Sequence, residues 1–171
     1  RTSNLNAFQC LPTSTISATN TPAINLSGTS IIEYYANSGT QRLAARTYAN
    51  LVVSGNSIKH LCSNAIVTNL TLNGGILDLN GFTLTINGNI VRNGGYILSE
   101  KFDNSSKLKV NIGTNTINYV FPFGNQSGDY IPFSIKLNNG NIGNVTVATY
   151  KTDTNNLPNP TTPIAVSHIL D

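Results

Sequence analysis

Residues 50–97 read NLVVSGNSIKHLCSNAIVTNLTLNGGILDLNGFTLTINGNIVRNGGYI, and this stretch decides the fold because it repeats. The hexapeptide NLVVSG at 50–55 returns as NLTLNG at 69–74 and again as NIVRNG at 89–94, so the copies begin 19 and 20 residues apart. Short apolar runs that recur about every 20 residues, with Gly or Asn between them, are typical of a solenoid in which each repeat forms one coil. The stretch therefore predicts stacked β-coils.

Asn-Gly corners punctuate the repeats at 73–74, 80–81, 87–88 and 93–94. Asn-Gly also joins the strands of two-residue hairpins, so an antiparallel meander is the alternative to a β-helix. A meander gives copies at this period no reason to align, whereas each coil of a parallel β-helix buries the same apolar positions as its predecessor. We therefore predict a short right-handed parallel β-helix over residues 31–102, which opens with a coil at 31–41 and holds an internal ladder of Leu and Ile.

The flanking regions differ from the repeats in composition and period. Residues 1–30 are rich in Thr, Ser, Asn and Pro, and they predict an extended lead-in or cap. From Asp103 onward longer alternating runs predict an antiparallel β-sandwich-like module at 103–171, truncated at a domain boundary. Its predicted strands fall at 108–112, 117–121, 131–137, 145–150 and 164–170, the last after a proline-containing loop at 155–163. The fold class is all-β, and the chain reads as a piece of a longer protein.

Charge and hydropathy argue against nucleic-acid binding and against a transmembrane segment. Only 10% of the residues are charged and the net charge is +3, with ten basic residues scattered along the chain. No basic stripe with interleaved aromatic residues is present, so nucleic acid is not an expected partner. The longest apolar runs are far short of the roughly 20 residues that span a bilayer, so no transmembrane segment is expected.

The state of the two cysteines, Cys10 and Cys62, has two possible interpretations. They form a disulfide that ties the N-terminal segment to the second coil, or they are unpaired thiols buried as small apolar residues. Neither lies in a CxxC motif and no His stands at metal-ligand spacing, so no metal or other cofactor is expected.

Asp78 is the one acid in the repeats and the first candidate for chemistry. A catalytic or calcium site needs several acids, or an acid beside a base, converging on one face. The coil above offers Lys59 or His60, and the coil below offers Leu98 or Glu100. The simpler interpretation is an outward polar residue in an alternating strand, and we favour it. His60 and His168 are far apart with no nucleophile motif nearby, so no catalytic residue is predicted.

Four tyrosines are the candidate glycan contacts. Tyr34, Tyr35, Tyr48 and Tyr96 either stack on sugars or fill and cap the ends of the coil stack, and the sequence does not separate these alternatives. The single Thr-x-Thr at Thr83 and Thr85 does not recur from coil to coil, as a flat ice-binding face would require.

Several stretches of the chain resemble repeats of a known group of proteins. The runs YANLVVSG at 48–55 and LTLNGGILDLNGFTLTING at 70–88, with YYANSGTQ at 34–41, resemble repeats in very large secreted surface proteins of Bacteroidota, cargo of the type IX secretion system. FPFG at 121–124 followed by DYIPF at 129–133 looks like the segment that commonly follows. The resemblance covers about residues 31–137, and its most specific part is LDLNGFTLTI.

What the resemblance implies is export and a place at the cell surface. Such proteins include giant adhesins, among them those linked to gliding motility, so an extracellular, outer-membrane-associated location is expected. The family pattern is a structural repeat and carries no catalytic residue. The sorting domain expected at the C terminus of such cargo is not in this sequence.

These observations lead us to expect a structural stalk or spacer in a large secreted adhesin rather than an enzyme. The expected partners are neighbouring domains of the same polypeptide, and also surface glycans or other surface proteins. The alternatives are a carbohydrate-binding β-helix module and, less favoured, a polysaccharide lyase or hydrolase acting through Asp78.

Overall fold

The computed structural model describes residues 1–5, 28–44, 46–101 and 103–149, and in these the protein is all-β with no helix. Their strands are β1 (Ile31–Tyr34), β2 (Thr40–Leu43), β3 (Thr47–Ser54), β4 (Ile58–Leu61), β5 (Ala65–Asp78), β6 (Thr83–Ile86), β7 (Ile90–Leu98), β8 (Lys107–Asn111), β9 (Tyr119–Phe121), β10 (Phe133–Ile135) and β11 (Asn144–Val147). The predicted loop at 155–163, the strand at 164–170 and most of the lead-in lie outside the described residues.

The strands from β1 to β8 wind into a β-solenoid of about four turns with three faces. Face A stacks 31–34, 50–53, 69–72 and 90–92 in parallel register. Face B stacks 40–43, 58–61, 76–78 and 96–98. Face C stacks 47–48, 65–67, 83–86 and 107–110. The parallel pairing confirms the predicted β-helix and excludes the antiparallel meander.

The core is the inward row of side chains on each face. On face A, Leu51 pairs with Leu70 and Leu70 with Ile90, so the repeated apolar positions form the predicted internal ladder. Leu51 and Leu70 are fully buried, and each such side chain contributes about 1.5–3 kcal/mol when removed from water. A single coil leaves one side of this row uncovered, so the coils are stable only as a stack.

Asparagines form hydrogen bonds between successive coils where the chain turns from face C to face A. Asn69 Nδ2 donates to Asn50 Oδ1 at 3.0 Å, and Asn50 Nδ2 donates to the Ser30 carbonyl at 3.1 Å. The backbone N–H of Asn89 donates to Asn69 Oδ1 at 3.3 Å, which extends the ladder to the next coil. These bonds satisfy amides exposed where the chain turns from one face to the next.

The N-terminal end of the stack is closed by residues 1–5. Thr2 forms a parallel bridge with Tyr34 at the outer edge of face A. The buried Gln41 side chain donates through Nε2 to the carbonyls of Thr2 (3.0 Å) and Asn4 (2.9 Å). The first five residues therefore cap the first coil.

The C-terminal end of the stack differs from the predicted division between solenoid and antiparallel module. β8 was expected to belong to the antiparallel module, but it pairs in parallel with β6 and continues face C by one rung. Its other edge pairs antiparallel with β11, so one strand serves both architectures. Alternation of apolar and polar residues is the same in both kinds of pairing, and for this reason the sequence did not reveal the double role.

A separate antiparallel sheet lies beyond this strand. β9 and β10 pair antiparallel, with Phe121 opposite Phe133. Phe121 and Phe123 are fully buried, and Phe123 forms a parallel bridge with Ile97 at the end of face B. The Phe-Pro-Phe-Gly segment thus joins the small sheet to the core of the solenoid.

Candidate functional site

The outward side of face B carries the strongest cluster of reactive side chains in the described residues. Arg42, His60 and Asp78 occupy matching positions on three successive rungs of the parallel ladder. Adjacent rungs lie about 4.8 Å apart. A guanidinium, an imidazole and a carboxylate therefore follow one another along the solenoid axis. We call this row the polar stripe.

Within the polar stripe, His60 and Asp78 contact each other directly. His60 Nε2 lies 3.2 Å from Asp78 Oδ2, and the two side chains are 28% and 23% exposed. Asp78 Oδ1 accepts a hydrogen bond from the backbone N–H of Asn80 at 2.8 Å, which fixes the carboxylate in place. The carboxylate in turn orients the imidazole. The contact is an ion pair when His60 is protonated and a hydrogen bond otherwise.

Arg42 is the permanent cation of the stripe. Its side chain is half-buried, and within the described residues its guanidinium forms no hydrogen bond or ion pair. A guanidinium offers paired donors that match a carboxylate or sulfate. The stripe can therefore bind a polar or anionic ligand, while Asp78 remains the single acid there.

The other neighbours proposed for Asp78 do not join it. Lys59 points into the solenoid and is fully buried, and Leu98 follows Asp78 on the next rung. Glu100 accepts a hydrogen bond from the backbone N–H of Gln126 instead. In the part of the chain that the structure describes, no three His, Cys, Asp or Glu residues come together as a metal site. Asp78 has the outward orientation that alternation predicts.

Lys59 was named only as a neighbour of Asp78, and its role as a buried cation was not predicted. Its Nζ donates to three backbone carbonyls, those of Ala36 (3.0 Å), Gly55 (3.1 Å) and Ser57 (2.8 Å). Burial lowers the Lys59 pKa to about 8, while the three carbonyl dipoles favour the ammonium form. The signal was present in the sequence, since Lys59 shares the inward phase of Leu61 two residues later.

The tyrosine candidates need a correction, because the structure buries three of them. Tyr34 and Tyr48 are fully buried inside the first coils, where their hydroxyls hydrogen-bond at 2.9 Å, and they present no ring face to a sugar. Burial raises the pKa of both phenols. Tyr96 is 9% exposed, and Gly124 packs against its ring. These rings fill the stack, which is the alternative that the sequence left open.

Tyr35 is the remaining candidate. It is half-buried, and the Arg1 guanidinium lies 4.8 Å from its ring centroid. Arg1 is also paired with Glu33, at 2.6 Å from Nε to Oε2. One face of the Tyr35 ring is therefore already occupied by a cation, so this tyrosine is a poor sugar platform.

The cysteine and histidine candidates are only partly described. Cys62 lies in the corner after β4 and is disulfide-bonded. Cys10 lies outside the described residues, so its pairing with Cys62 stays a prediction. His168 also lies outside them.

By its fold the protein is a three-faced parallel β-solenoid with a small antiparallel sheet at one end. No protein-family model matches the chain, and no curated protein or solved structure shows significant similarity to it. No helix long and apolar enough to cross a membrane occurs in the described ranges.

Proposed function

We propose that this chain is a structural stalk or spacer segment of a large secreted cell-surface adhesin, linked to gliding motility or surface attachment. One observation carries the proposal: the parallel ladders of all three faces run unbroken through successive coils around an apolar core. Such stacking gives a rod whose length is set by the number of coils. The resemblance of residues 31–137 to repeats of type IX secretion cargo supports the extracellular location.

The side chains on the outer faces also favour a spacer over an enzyme. Thr and Asn recur there among charged and aliphatic residues, and only 10% of the residues of the chain are charged. The polar stripe has a base and its orienting acid, but no nucleophile stands beside them in the described residues. A spacer requires only that its shape be kept.

A replacement experiment in the parent protein tests this proposal. The solenoid segment is exchanged either for an unrelated rigid β-solenoid with the same number of coils or for a flexible Gly/Ser linker of equal residue count. We expect cells with the rigid replacement to attach under flow like the wild type, and cells with the flexible linker to lose attachment. Loss of attachment with the rigid replacement would contradict a pure spacer.

The second candidate, a carbohydrate-binding module, now rests on the polar stripe rather than on the tyrosines. Arg42, which lies next to His60 and has no side-chain partner among the described residues, favours an acidic glycan. Retention of the chain on a panel of acidic polysaccharides, lost in Arg42→Ala and kept in Lys109→Ala, would support it. Turnover of such a polysaccharide that Asp78→Asn removes would instead support the lyase or hydrolase.

A further inference from the structure

Five Asn-Gly pairs occur in the chain, and one of them lies outside the solenoid. Four stand in the coils, at 73–74, 80–81, 87–88 and 93–94, and the fifth is Asn139-Gly140, in the loop that joins β10 to β11. In such a pair the backbone nitrogen of the glycine can attack the side-chain amide of the asparagine, because glycine has no Cβ to hinder the approach. The surroundings of each pair decide whether the attack takes place.

In Asn139-Gly140 the attacking nitrogen already lies beside its target. The Gly140 N–H donates to Asn139 Oδ1, with 2.7 Å between the nitrogen and the oxygen. This hydrogen bond closes a small ring that contains the Cα, Cβ and Cγ atoms of Asn139, so it also holds the nitrogen close to Cγ. Groups that are preorganised in this way react far faster than groups that must first find each other.

The same hydrogen bond sets the direction of attack. When a base in the solvent removes the Gly140 proton, the lone pair left on the nitrogen points toward the side-chain carbonyl group. Small rotations about the Asn139 side-chain bonds then bring Cγ onto that lone pair. Both residues are exposed, and the Asn139 side chain forms no other hydrogen bond with a described residue. These rotations are therefore unopposed.

The two Asn-Gly pairs inside strands lack this arrangement. Asn73-Gly74 belongs to β5 and Asn93-Gly94 to β7, and Asn73 is the ladder partner of Gly94. In an extended strand the side chain stands roughly perpendicular to the sheet, while the next backbone nitrogen continues along the strand. The ladder therefore keeps the backbone nitrogen and the side-chain amide apart.

The pair at Asn80-Gly81 is held by hydrogen bonds to other residues. The Gly81 N–H donates to Ser106 Oγ at 2.8 Å, so the nucleophile is directed away from its own asparagine. Asn80 Nδ2 donates to the Leu61 carbonyl at 3.2 Å, which ties the side-chain amide to the preceding coil. Attack would require both bonds to break.

The pair at Asn87-Gly88 is fixed against the preceding coil. The Asn87 N–H donates to the Val67 carbonyl at 2.9 Å. A Cβ added at Gly88 would lie 2.8 Å from the Thr68 carbonyl oxygen, so the backbone of this corner has little room to turn. By contrast, a Cβ added at Gly140 would meet no atom of a more distant residue within 4 Å. Freedom to reach the attack geometry therefore distinguishes the loop pair from the solenoid pairs.

We propose that Asn139 is a modification site, at which the side-chain amide is lost by spontaneous deamidation. The Gly140 nitrogen gives up its proton to a base in the solvent and forms a bond to Asn139 Cγ. The bond from Cγ to Nδ2 breaks, and the amide nitrogen takes up a proton and leaves as ammonia. Water then opens the resulting succinimide ring at either carbonyl, which leaves aspartate or isoaspartate at position 139.

The modification changes the charge and the backbone of one loop. Each conversion adds a carboxylate between β10 and β11 and lowers the net charge from +3 to +2. Isoaspartate also routes the main chain through the side-chain carbons, which lengthens the loop. The reaction requires only Asn139, Gly140 and water, so it is independent of the proposed function.

Incubation of the 171-residue chain in mildly alkaline buffer, folded and in concentrated urea, tests the site. Peptide mapping by mass spectrometry follows the loss of amide at each Asn-Gly pair over time. We expect Asn139 of the folded chain to convert severalfold faster than the four asparagines of the solenoid pairs, with both aspartate and isoaspartate as products. In urea the five pairs should convert at similar rates, because unfolding releases the other four.

Two alanine variants test whether the Gly140 nitrogen is the nucleophile. Gly140→Ala places a methyl group next to this nitrogen and should slow conversion at position 139 severalfold. Gly143→Ala is the matched control, because Gly143 lies in the same loop, also has a positive φ and equally open surroundings, and does not follow an asparagine. Equal rates at all five pairs of the folded chain, a product without isoaspartate, or equal rates in the two variants would each overturn the proposal.

Discussion

Lys59 is a cation inside an otherwise largely apolar stack, and it links one corner of the solenoid to the next coil. Its neighbours in the inward row of face B are Gln41 and Leu77. Gln41 holds the N-terminal cap, Lys59 holds the corner at 55–57, and Leu77 begins the apolar part of the row. Polar residues in this row therefore organise the first coils, and hydrophobic packing takes over afterwards.

Replacing Lys59 by Met should weaken the fold without changing the volume of the side chain much. The carbonyls of Gly55 and Ser57 would lose their side-chain donor at a poorly hydrated position. We expect Lys59→Met to lower the free energy of unfolding by about 1–3 kcal/mol in urea titrations. Lys109→Met is the matched control, since Lys109 points outward on face C. An equal loss in both variants would contradict the role of the three carbonyls.

Lys59 also gives stability a defined pH dependence. Its folded pKa of about 8 lies below its ordinary value of 10.5, so the unfolded chain binds more protons between these values. The free energy of unfolding should therefore rise with pH from about 8. The phenols of Tyr34 and Tyr48 have the opposite effect on stability. Burial raises their pKa above 10.0, so at higher pH the unfolded chain releases these protons more readily than the folded chain, and the free energy of unfolding falls.

We expect stability to increase from pH 8 toward 10 and to fall at higher pH, measured by thermal unfolding at constant ionic strength. Lys59→Met should remove the increase and keep the fall. An unchanged pH profile in the variant would show that another group titrates in this range.

At the scale of the element, each corner depends on side chains that bond across coils. Asn69 contacts Asn50 on one side and Asn89 on the other. Asn69→Ala should destabilise the protein by about 1–3 kcal/mol, at 0.5–1.5 kcal/mol for each of the lost hydrogen bonds. Asn87→Ala serves as the control, because Asn87 is exposed and its side chain forms no hydrogen bond in the described region. Chemical denaturation of both variants measures the two free energies of unfolding, and an equal loss in both would contradict the role of Asn69.

The repeat pattern predicted how the coils stack but did not fix which side chains meet. The recurrence of Asn50 at Asn69 and Asn89 predicted parallel coils, because only stacking makes a constant period useful. Tyr34 and Tyr48 were ambiguous, since a large ring is equally consistent with a coil interior and with a binding face. For Asp78 the sequence left both Lys59 and His60 open as neighbours, and only the register of 18 residues on face B, rather than the 19 of face A, selects His60.

The protection of backbone amides from hydrogen exchange should depend on where their strand lies in the stack. β5 is bonded on both sides, to β3 and β4 above and to β6 and β7 below. We expect its amides to exchange most slowly and those of β9 and β10 to exchange fastest, measured by hydrogen–deuterium exchange mass spectrometry. Uniform exchange across β1, β5 and β10 would indicate that the described residues open as one cooperative unit instead.

The closed N-terminal end has a consequence for how such a rod is assembled. Each coil needs the preceding coil as a template, and the first coil receives its template from residues 1–5 through Thr2 and Gln41. Nucleation can therefore take place at the N-terminal end of these residues, where every later coil then adds to an existing surface. The solenoid can then form coil by coil from β1 toward β8, in the order in which the ribosome synthesises these residues.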